Sequence, residues 1–103
     1  MKVELAQLAG RDNDTAYNLE RALAVIAACA ADTQLIVFPE THLMGFPSAD
    51  TVAQIAEPVA GPTISAVLVA ARERNVAVVI GMAEHDNGHF YNTTLLLTPE
   101  GIA

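Results

Sequence analysis

The chain has 103 residues, the length of one small domain with one hydrophobic core. Hydrophobic residues make up 52% of it and charged residues 17%, a balance that excludes intrinsic disorder. Five basic residues against twelve acidic ones give a net charge of −7, without the clustered Lys and Arg of a surface that binds nucleic acid or anionic membranes.

The single cysteine, Cys29, excludes an internal disulfide framework and fits a reducing compartment. The first residues, Met1 to Glu4, do not resemble a signal peptide, and no apolar run reaches the roughly 18 residues of a membrane span. We therefore expect a cytoplasmic protein that binds neither nucleic acid nor membranes.

The first part of the chain predicts a strand followed by a helix. Apolar residues alternate loosely from 3 to 8, which is typical of a strand, and a polar break follows at residues 10–14. The helix is expected to begin at Asp14 or Thr15 and to end near Asp32. The apolar residues of its predicted inner face recur at steps of three and four: Ala16, Leu19, Leu23, Ile26 and Ala30.

The middle of the chain predicts a buried strand and two more helices. The unbroken apolar run Leu35–Phe38 indicates a strand buried on both faces, and a loop is expected from 40 to 48. A short helix is expected over residues 50–57. A second long helix opens at Pro62 and ends near Asn75. Its predicted inner face consists of Ile64, Val67, Leu68 and Ala71.

The last part of the chain predicts a strand that turns back on itself. Residues 76–82 form a near-continuous apolar run, and 90–98 read as the returning strand. The turn is expected over 85–89, where Asn87-Gly88 suits positive φ angles. A further turn is expected at 99–101. Strands that alternate with helices, followed by a hairpin, indicate an α/β fold with a mixed sheet and flanking helices.

Glu40 is the residue whose position points most directly to chemistry. It follows Pro39 at the carboxyl end of the predicted strand, where open α/β sheets collect their functional groups. Beside Phe38 and Phe46 its carboxylate is expected to be partly desolvated, which suits a general base or acid near neutral pH. The alternative is a loop carboxylate that caps a helix or pairs with a surface arginine.

The run from Leu35 to Glu40, followed by residues 43–46 (Leu-Met-Gly-Phe), resembles the nitrilase superfamily of carbon–nitrogen hydrolases. In that family a strand ends in Phe-Pro-Glu. Further matches follow in the family's order at Gln7, Asn18, Gly81, Glu84, Tyr91-Asn92-Thr93 and Pro99-Glu100-Gly101. The resemblance covers essentially the whole chain. It implies the N-terminal part of an α-β-β-α sandwich, so that residues 1–103 form a single, incomplete domain.

The resemblance also implies an activity, namely hydrolysis of a non-peptide carbon–nitrogen bond. The substrate would be a small amide or N-carbamoyl compound, with nitriles as a further class. In the family's Glu–Lys–Cys mechanism the Cys attacks the substrate carbon, the Lys stabilises developing charge, and the Glu takes the thiol proton and later activates water. Glu40 matches the catalytic Glu. The family's Lys and Cys lie beyond Ala103, and neither Lys2 nor Cys29 matches them, so the 103 residues alone are expected to be inactive.

Two further residues are candidates for substrate binding. His42 either lines a substrate pocket or bonds to the loop backbone, and Glu84 is either a pocket residue or a structural one. Cys29 is expected to be a small buried apolar residue. No cofactor is expected, and the implied partners are a small-molecule substrate and further copies of the chain in a homo-oligomer.

Two other functions compete with the hydrolase. One is a metal site built from Glu40, His42, His85 and His89, with Asp86 beside the two later histidines, although the spacing matches no established metal site. The other is a truncated, non-catalytic paralogue that acts as an oligomerising or binding module through an exposed sheet edge and an apolar sheet face. A reading frame that continues past Ala103 into a Lys and later a Cys would favour the hydrolase. A stop codon and a stable dimer would favour the module.

Overall fold

The computed structural model describes all 103 residues. In chain order its elements are β1 (Val3–Leu5), α1 (Thr15–Ala28), β2 (Leu35–Val37), α2 (Val52–Ile55), α3 (Pro62–Arg74), β3 (Ala77–Asp86), β4 (His89–Thr98) and β5 (Gly101–Ile102). The predicted order of elements is confirmed, and the two-residue β5 is added after the last turn. None of the helices is both long and apolar enough to span a membrane.

The five strands form one mixed sheet in the order β1-β2-β3-β4-β5. The first two pairings are parallel and the last two are antiparallel, as the alternation of strands and helices followed by a hairpin predicted. Because β1, β2 and β3 lie side by side and such crossovers are right-handed, α1 and α3 lie on the same face of the sheet. The two helices contact each other there.

The hydrophobic core lies between these helices and the sheet. Ile36, Val78 and Leu97 occupy neighbouring positions on the helix-bearing face, as the strand register shows, and all three are fully buried. The side chains that alternate with them point to the other face. We call that side the open face; its larger apolar residues away from the hairpin tip are Val3, Leu5, Leu35, Val37, Val79 and Leu96.

Helix α1 begins as predicted, and its buried face matches the predicted one only in part, at Ile26 and the partly buried Leu19. The side chain of Asp14 caps it by accepting a hydrogen bond from the Tyr17 amide, at 3.1 Å. Its buried residues are Asn18, Ala22 and Ile26, whereas Ala16 and Ala30 of the predicted face are exposed. Asn18, a polar residue outside the predicted apolar face, is buried because its side-chain amide makes three hydrogen bonds. The helix ends at Ala28, before the predicted Asp32.

The second long helix and the hairpin turn match their predictions closely. Pro62 is the first residue of α3, and Asn75 caps its end in the left-handed conformation, with φ 52°. The hairpin turn consists of Asn87 and Gly88 alone, with φ 50° and 79°. The predicted five-residue turn was therefore too long, since the cross-strand hydrogen bonds continue up to the pair Asp86 and His89.

Three other boundaries differ from the predictions. Strand β1 ends at Leu5, so Gln7 lies beyond the strand on which it was expected. Strand β2 ends at Val37, although the Phe38 amide still donates to the carbonyl of Val79, at 2.9 Å. The short helix α2 spans only 52–55. Ends of elements depend on single hydrogen bonds, which periodicity does not reveal.

Candidate active site

The segment that carries Glu40 is a tightly turned loop after β2. Pro39 lacks an amide hydrogen and ends the strand ladder. Backbone hydrogen bonds then coil the chain: the His42 amide donates to the Pro39 carbonyl at 3.2 Å, and the Gly45 amide donates to the Thr41 carbonyl at 2.8 Å. These bonds close the loop on itself directly after β2, and Glu40 stands at its start.

The loop crosses β3 at Gly81, and the approach is close. A Cβ atom at Gly81 would collide with the amide nitrogen of Thr41, so only glycine fits there. Thr41 itself has φ 49°, a left-handed conformation that is strained for a β-branched residue. Its hydroxyl oxygen is buried without a hydrogen-bond partner. Strain and an unpaired polar group therefore both occur directly after Glu40, a concentration typical of functional sites.

The carboxylate of Glu40 is held by one neutral partner. Asn92 Nδ2 donates a hydrogen bond to Glu40 Oε1 at 2.7 Å, and Glu40 Oε2 makes no hydrogen bond. Asn92 lies opposite Ala83 in the hairpin register, on the sheet face that Gly81 shares. The expected partial desolvation is wrong, because Glu40 is exposed. The loop turns its side chain outward over the end of the sheet.

Asn18 ties this loop to the segment before α1. Its buried side chain donates through Nδ2 to the carbonyls of Arg11 and Leu43, at 2.7 and 3.0 Å, and accepts through Oδ1 from the Arg11 amide, at 2.8 Å. Every hydrogen-bonding position of the amide is thus used except one oxygen lone pair. A match to the family pattern in the sequence therefore corresponds to a structural clamp on the Glu40 loop.

His42 lies beneath the loop. The ring is 3% exposed, its Nε2 lies 3.0 Å from the Asn18 carbonyl, and its centroid lies 5.2 Å from that of Phe38. Burial lowers the pKa of His42, with the bond to Asn18 opposing this and the charge of Arg21 adding to it. A neutral ring that donates from Nε2 fits this environment. Substrate binding by His42 stays a prediction.

Glu84 does not join Glu40. It lies in β3 next to Ala83, so its side chain points to the opposite sheet face from Asn92. There Glu84 Oε1 accepts a hydrogen bond from Thr93 Oγ1 at 2.7 Å. The structure therefore brings Asn92, rather than Glu84, to the candidate base, and a role for Glu84 in substrate binding stays a prediction.

The four residues of the hypothetical metal site do not assemble. No group of three His, Cys, Asp or Glu side chains is placed to share a metal ion. The ring of His85 stacks on Phe90, at 5.2 Å between centroids, and His89 packs near Tyr91 at the hairpin tip. Cys29 is buried at the end of α1, as predicted for a small apolar residue.

Two clefts flank the loop. The larger cleft, of about 260 Å³, is lined by Thr41, Phe46, Pro47, Val52, Ala83, Phe90, Tyr91 and Asn92. The smaller cleft, of about 110 Å³, is lined by Leu8, Gly10, Asp12, Pro39, Glu40, Thr41, His42, Gly45 and Phe46. Thr41 and Phe46 form the wall between them. The smaller cleft contains Glu40, and the larger one contains its partner Asn92.

Asn92 is the site residue that sequence reasoning did not assign. It was noted only as part of the match Tyr91-Asn92-Thr93. The signal that could have found it is the hairpin itself, since a two-residue turn at Asn87-Gly88 sets Asn92 opposite Ala83. That register, together with the alternation of side chains, places Asn92 on the face shared with Gly81.

Comparisons with known proteins find similar sequences over the whole chain. The carbon–nitrogen hydrolase family matches residues 2–103. An (R)-stereoselective amidase from a Pseudomonas species is 60% identical over 103 residues, which are 100% of this chain and 38% of that relative. An aliphatic nitrilase from Rhodococcus rhodochrous is 30% identical over 106 residues, which cover 85% of this chain and 28% of the relative.

Solved structures share the fold. A CN-hydrolase superfamily protein from Xanthomonas campestris, with an arsenic adduct in its active site, has a TM-score of 0.86 at 27% identity, covering 96% of this chain and 37% of that one. An amidase from Nesterenkonia sp. has a TM-score of 0.84 at 23% identity, covering 100% of this chain and 40% of that one. The chain thus spans about two fifths or less of each relative. The family match over residues 2–103 confirms the resemblance noted in the sequence, and the chain belongs to the carbon–nitrogen hydrolases.

Proposed function

We propose that this chain supplies the general base, Glu40, of an enzyme that hydrolyses a small amide. The observation that carries the proposal is the state of the Glu40 carboxylate. Asn92 holds Oε1 at 2.7 Å, whereas Oε2 has no partner and is available to accept a proton. The strained, clamped loop keeps the side chain in this position.

The proposed mechanism uses the two oxygens of Glu40 differently. Oε1 stays bonded to Asn92, and Oε2 takes the proton of the nucleophilic thiol while sulfur bonds to the substrate carbon. Oε2 then gives this proton to the substrate nitrogen as the carbon–nitrogen bond breaks, so that ammonia departs and a thioester remains. In the second step Oε2 takes a proton from the water that attacks the thioester carbon and returns it to sulfur as the carbon–sulfur bond breaks, which releases the carboxylic acid. Lys2 pairs with Asp32 at 2.9 Å and Cys29 is buried, so we place the charge-stabilising Lys and the nucleophilic Cys outside these residues.

We propose a primary amide as the substrate. The relative that is 60% identical is named an amidase, and the others have names that include nitrilase. The nitrogen of a nitrile carries no substituent, and the nitrogen of a primary amide carries only hydrogen. Both kinds of substrate therefore have a nitrogen without a bulky group. N-carbamoyl compounds and nitriles are the alternative substrates.

The test is ammonia release from small amides by the protein expressed from its complete reading frame. Glu40→Gln keeps the size of the side chain but cannot accept the proton, so kcat should fall by about 10²–10⁴. Glu20→Gln, which removes an exposed carboxylate on α1, should leave kcat within about twofold of the original value. Residues 1–103 alone should release no ammonia. Full activity of the Glu40→Gln variant would overturn the proposal.

A second candidate function is an association module. The observation that favours it is the open face, on which Leu5 is 69% exposed and Leu96 is 43% exposed. Covering apolar surface of this kind with another chain lowers the free energy, because the surface is removed from water. A protein that forms a stable oligomer and shows no Glu40-dependent amide hydrolysis would favour this function over the enzyme.

A further inference from the structure

The larger cleft lies beside the candidate base. Asn92 donates a hydrogen bond to Glu40, and Thr41 follows Glu40 in the chain. Asn92 and Thr41 both line the larger cleft. Glu40 itself does not. A group bound in the larger cleft would therefore contact Asn92 and Thr41 and lie beside the carboxylate of Glu40, where one substituent of the reacting carbon is expected.

The walls of the larger cleft select the chemistry of its occupant. Phe46 and Val52 line one side, and Ala83 and Phe90 of the hairpin line the other. Phe46 is 69% exposed and Phe90 is 42% exposed, so an apolar ligand would remove large apolar surfaces from water. No charged residue lines the cleft, so a carboxylate or an ammonium group bound there would lack an ion-pair partner.

The volume of the cleft limits the size of the occupant. At about 30 Å³ for each water-sized group, 260 Å³ holds about nine such groups. A phenyl ring with its linking carbon, or a branched alkyl chain, fits this volume. The nitrogen of a primary amide carries only hydrogen, so the only bulky group of such a substrate is attached to the carbonyl carbon.

We infer that the larger cleft binds the apolar acyl substituent of the substrate and that the enzyme prefers amides with an aryl or branched alkyl group to acetamide. This inference rests on the proposed function, because it takes Glu40 to act at the carbonyl carbon. Val52 and Phe46 are then specificity-determining residues, since they form the wall opposite the hairpin.

The test uses a substitution that places a larger side chain in the larger cleft, in the protein expressed from its complete reading frame. Val52→Phe should lower kcat/KM for phenylacetamide at least about tenfold more than it lowers kcat/KM for acetamide. Val69→Phe is the matched control, because Val69 is 50% exposed on α3 and does not line the cleft. It should change neither value. Phe46→Ala, which removes an exposed ring and spares the core, should lower kcat/KM for phenylacetamide more than kcat/KM for acetamide.

A binding measurement separates this inference from the proposed function. Phenylacetamide is titrated calorimetrically into the Glu40→Gln variant, and adding Val52→Phe should raise the dissociation constant at least about tenfold. Equal affinity with and without Val52→Phe, or no binding at all, would overturn the inference even if hydrolysis depends on Glu40. If Val52→Phe weakens binding but hydrolysis does not depend on Glu40, the larger cleft remains the acyl-binding site and Glu40 is not the general base.

Discussion

A single neutral amide orients the candidate base. Asn92 occupies one oxygen of Glu40 and leaves the other to react, without the charge neutralisation that an arginine in its place would bring. The partner comes from a strand 52 residues further along the chain. Orientation of the base therefore depends on tertiary structure, and the side chain at position 92 should affect proton transfer directly.

We expect two substitutions of Asn92 to differ in their pH dependence. Asn92→Asp places a second carboxylate beside Glu40, and two close carboxylates share a proton. Its kcat should fall at least about tenfold at neutral pH, and the acidic limb of the profile of kcat against pH should move to higher pH. Asn92→Ala should lower kcat without moving that limb, and Asn87→Asp at the hairpin tip should do neither. Identical profiles for both Asn92 variants would contradict this role.

The buried ring of His42 should make stability depend on pH. Burial lowers its pKa in the folded protein below the ordinary 6.5, so the unfolded state binds the proton more readily. The contribution of His42 is complete above pH 6.5 and is lost as the pH falls below that value. The urea midpoint should therefore decrease between about pH 7.5 and 5.5, and less so in His42→Gln.

His89→Gln serves as the control for this measurement, because His89 is exposed at the hairpin. It should keep the full pH dependence of the original protein. If acidification lowers the urea midpoints of His42→Gln and His89→Gln by as much as that of the original protein, groups other than His42 cause the pH dependence of stability.

At the scale of elements, the crossing of the loop and β3 positions Glu40. Gly81 allows the backbone at Thr41 to lie directly against the strand, and the Leu43 amide donates to the Gly81 carbonyl at 3.2 Å. The backbone of the loop therefore packs directly against β3, without a loop side chain between them. A methyl group at this position should move the loop and the base together.

We expect Gly81→Ala to cost about 1–3 kcal/mol of unfolding free energy and to lower kcat. The matched control is Gly88→Ala, where a Cβ meets nothing within 4 Å and only the positive φ of 79° is unfavourable. That strain costs about 1–2 kcal/mol and should leave kcat unchanged. Urea unfolding and ammonia release measure the two effects. A Gly81→Ala enzyme with unaltered kcat would show that the crossing does not position Glu40.

The sequence allowed the elements to be predicted better than their contacts. Apolar runs and periodicity located β2, α3 and the hairpin, because burial of apolar side chains determines those elements. Asn18 was absent from the predicted inner face, since a buried amide is stable only through bonds to residues 11 and 43 that periodicity does not reveal. The exposure of Glu40 was missed for the same reason, because it depends on how the loop crosses β3.

At the scale of the whole molecule, the two faces of the sheet differ. Both long helices cover one face, and the open face carries Val3, Leu5 and Leu96 with 43%, 69% and 43% of their surfaces exposed. The sheet of residues 1–103 thus has one packed side and one apolar side in contact with water. Burial of that second side would remove these apolar side chains from water and is therefore favourable.

We therefore expect purified residues 1–103 to self-associate. Leu5→Ser together with Leu96→Ser should shift sedimentation towards the monomer, because both side chains lie on the open face and neither is in the core. Val69→Ser, which changes an exposed apolar residue on α3, should leave the association unchanged. Monomeric sedimentation of the unaltered chain at high concentration would contradict the prediction.

The two-residue turn of the hairpin has a consequence for how this site can change over evolutionary time. Asn92 reaches Glu40 only because Asn87 and Gly88 alone separate β3 from β4. One inserted residue that shifted the register would present Tyr91 or Thr93 to the carboxylate, and would turn Leu97 out of the core at the same time. The tip is exposed, yet its length determines which side chain of β4 faces Glu40. A register shift of two residues would keep every side chain on its own sheet face, but would present Phe90 or Thr94 to the carboxylate instead of Asn92.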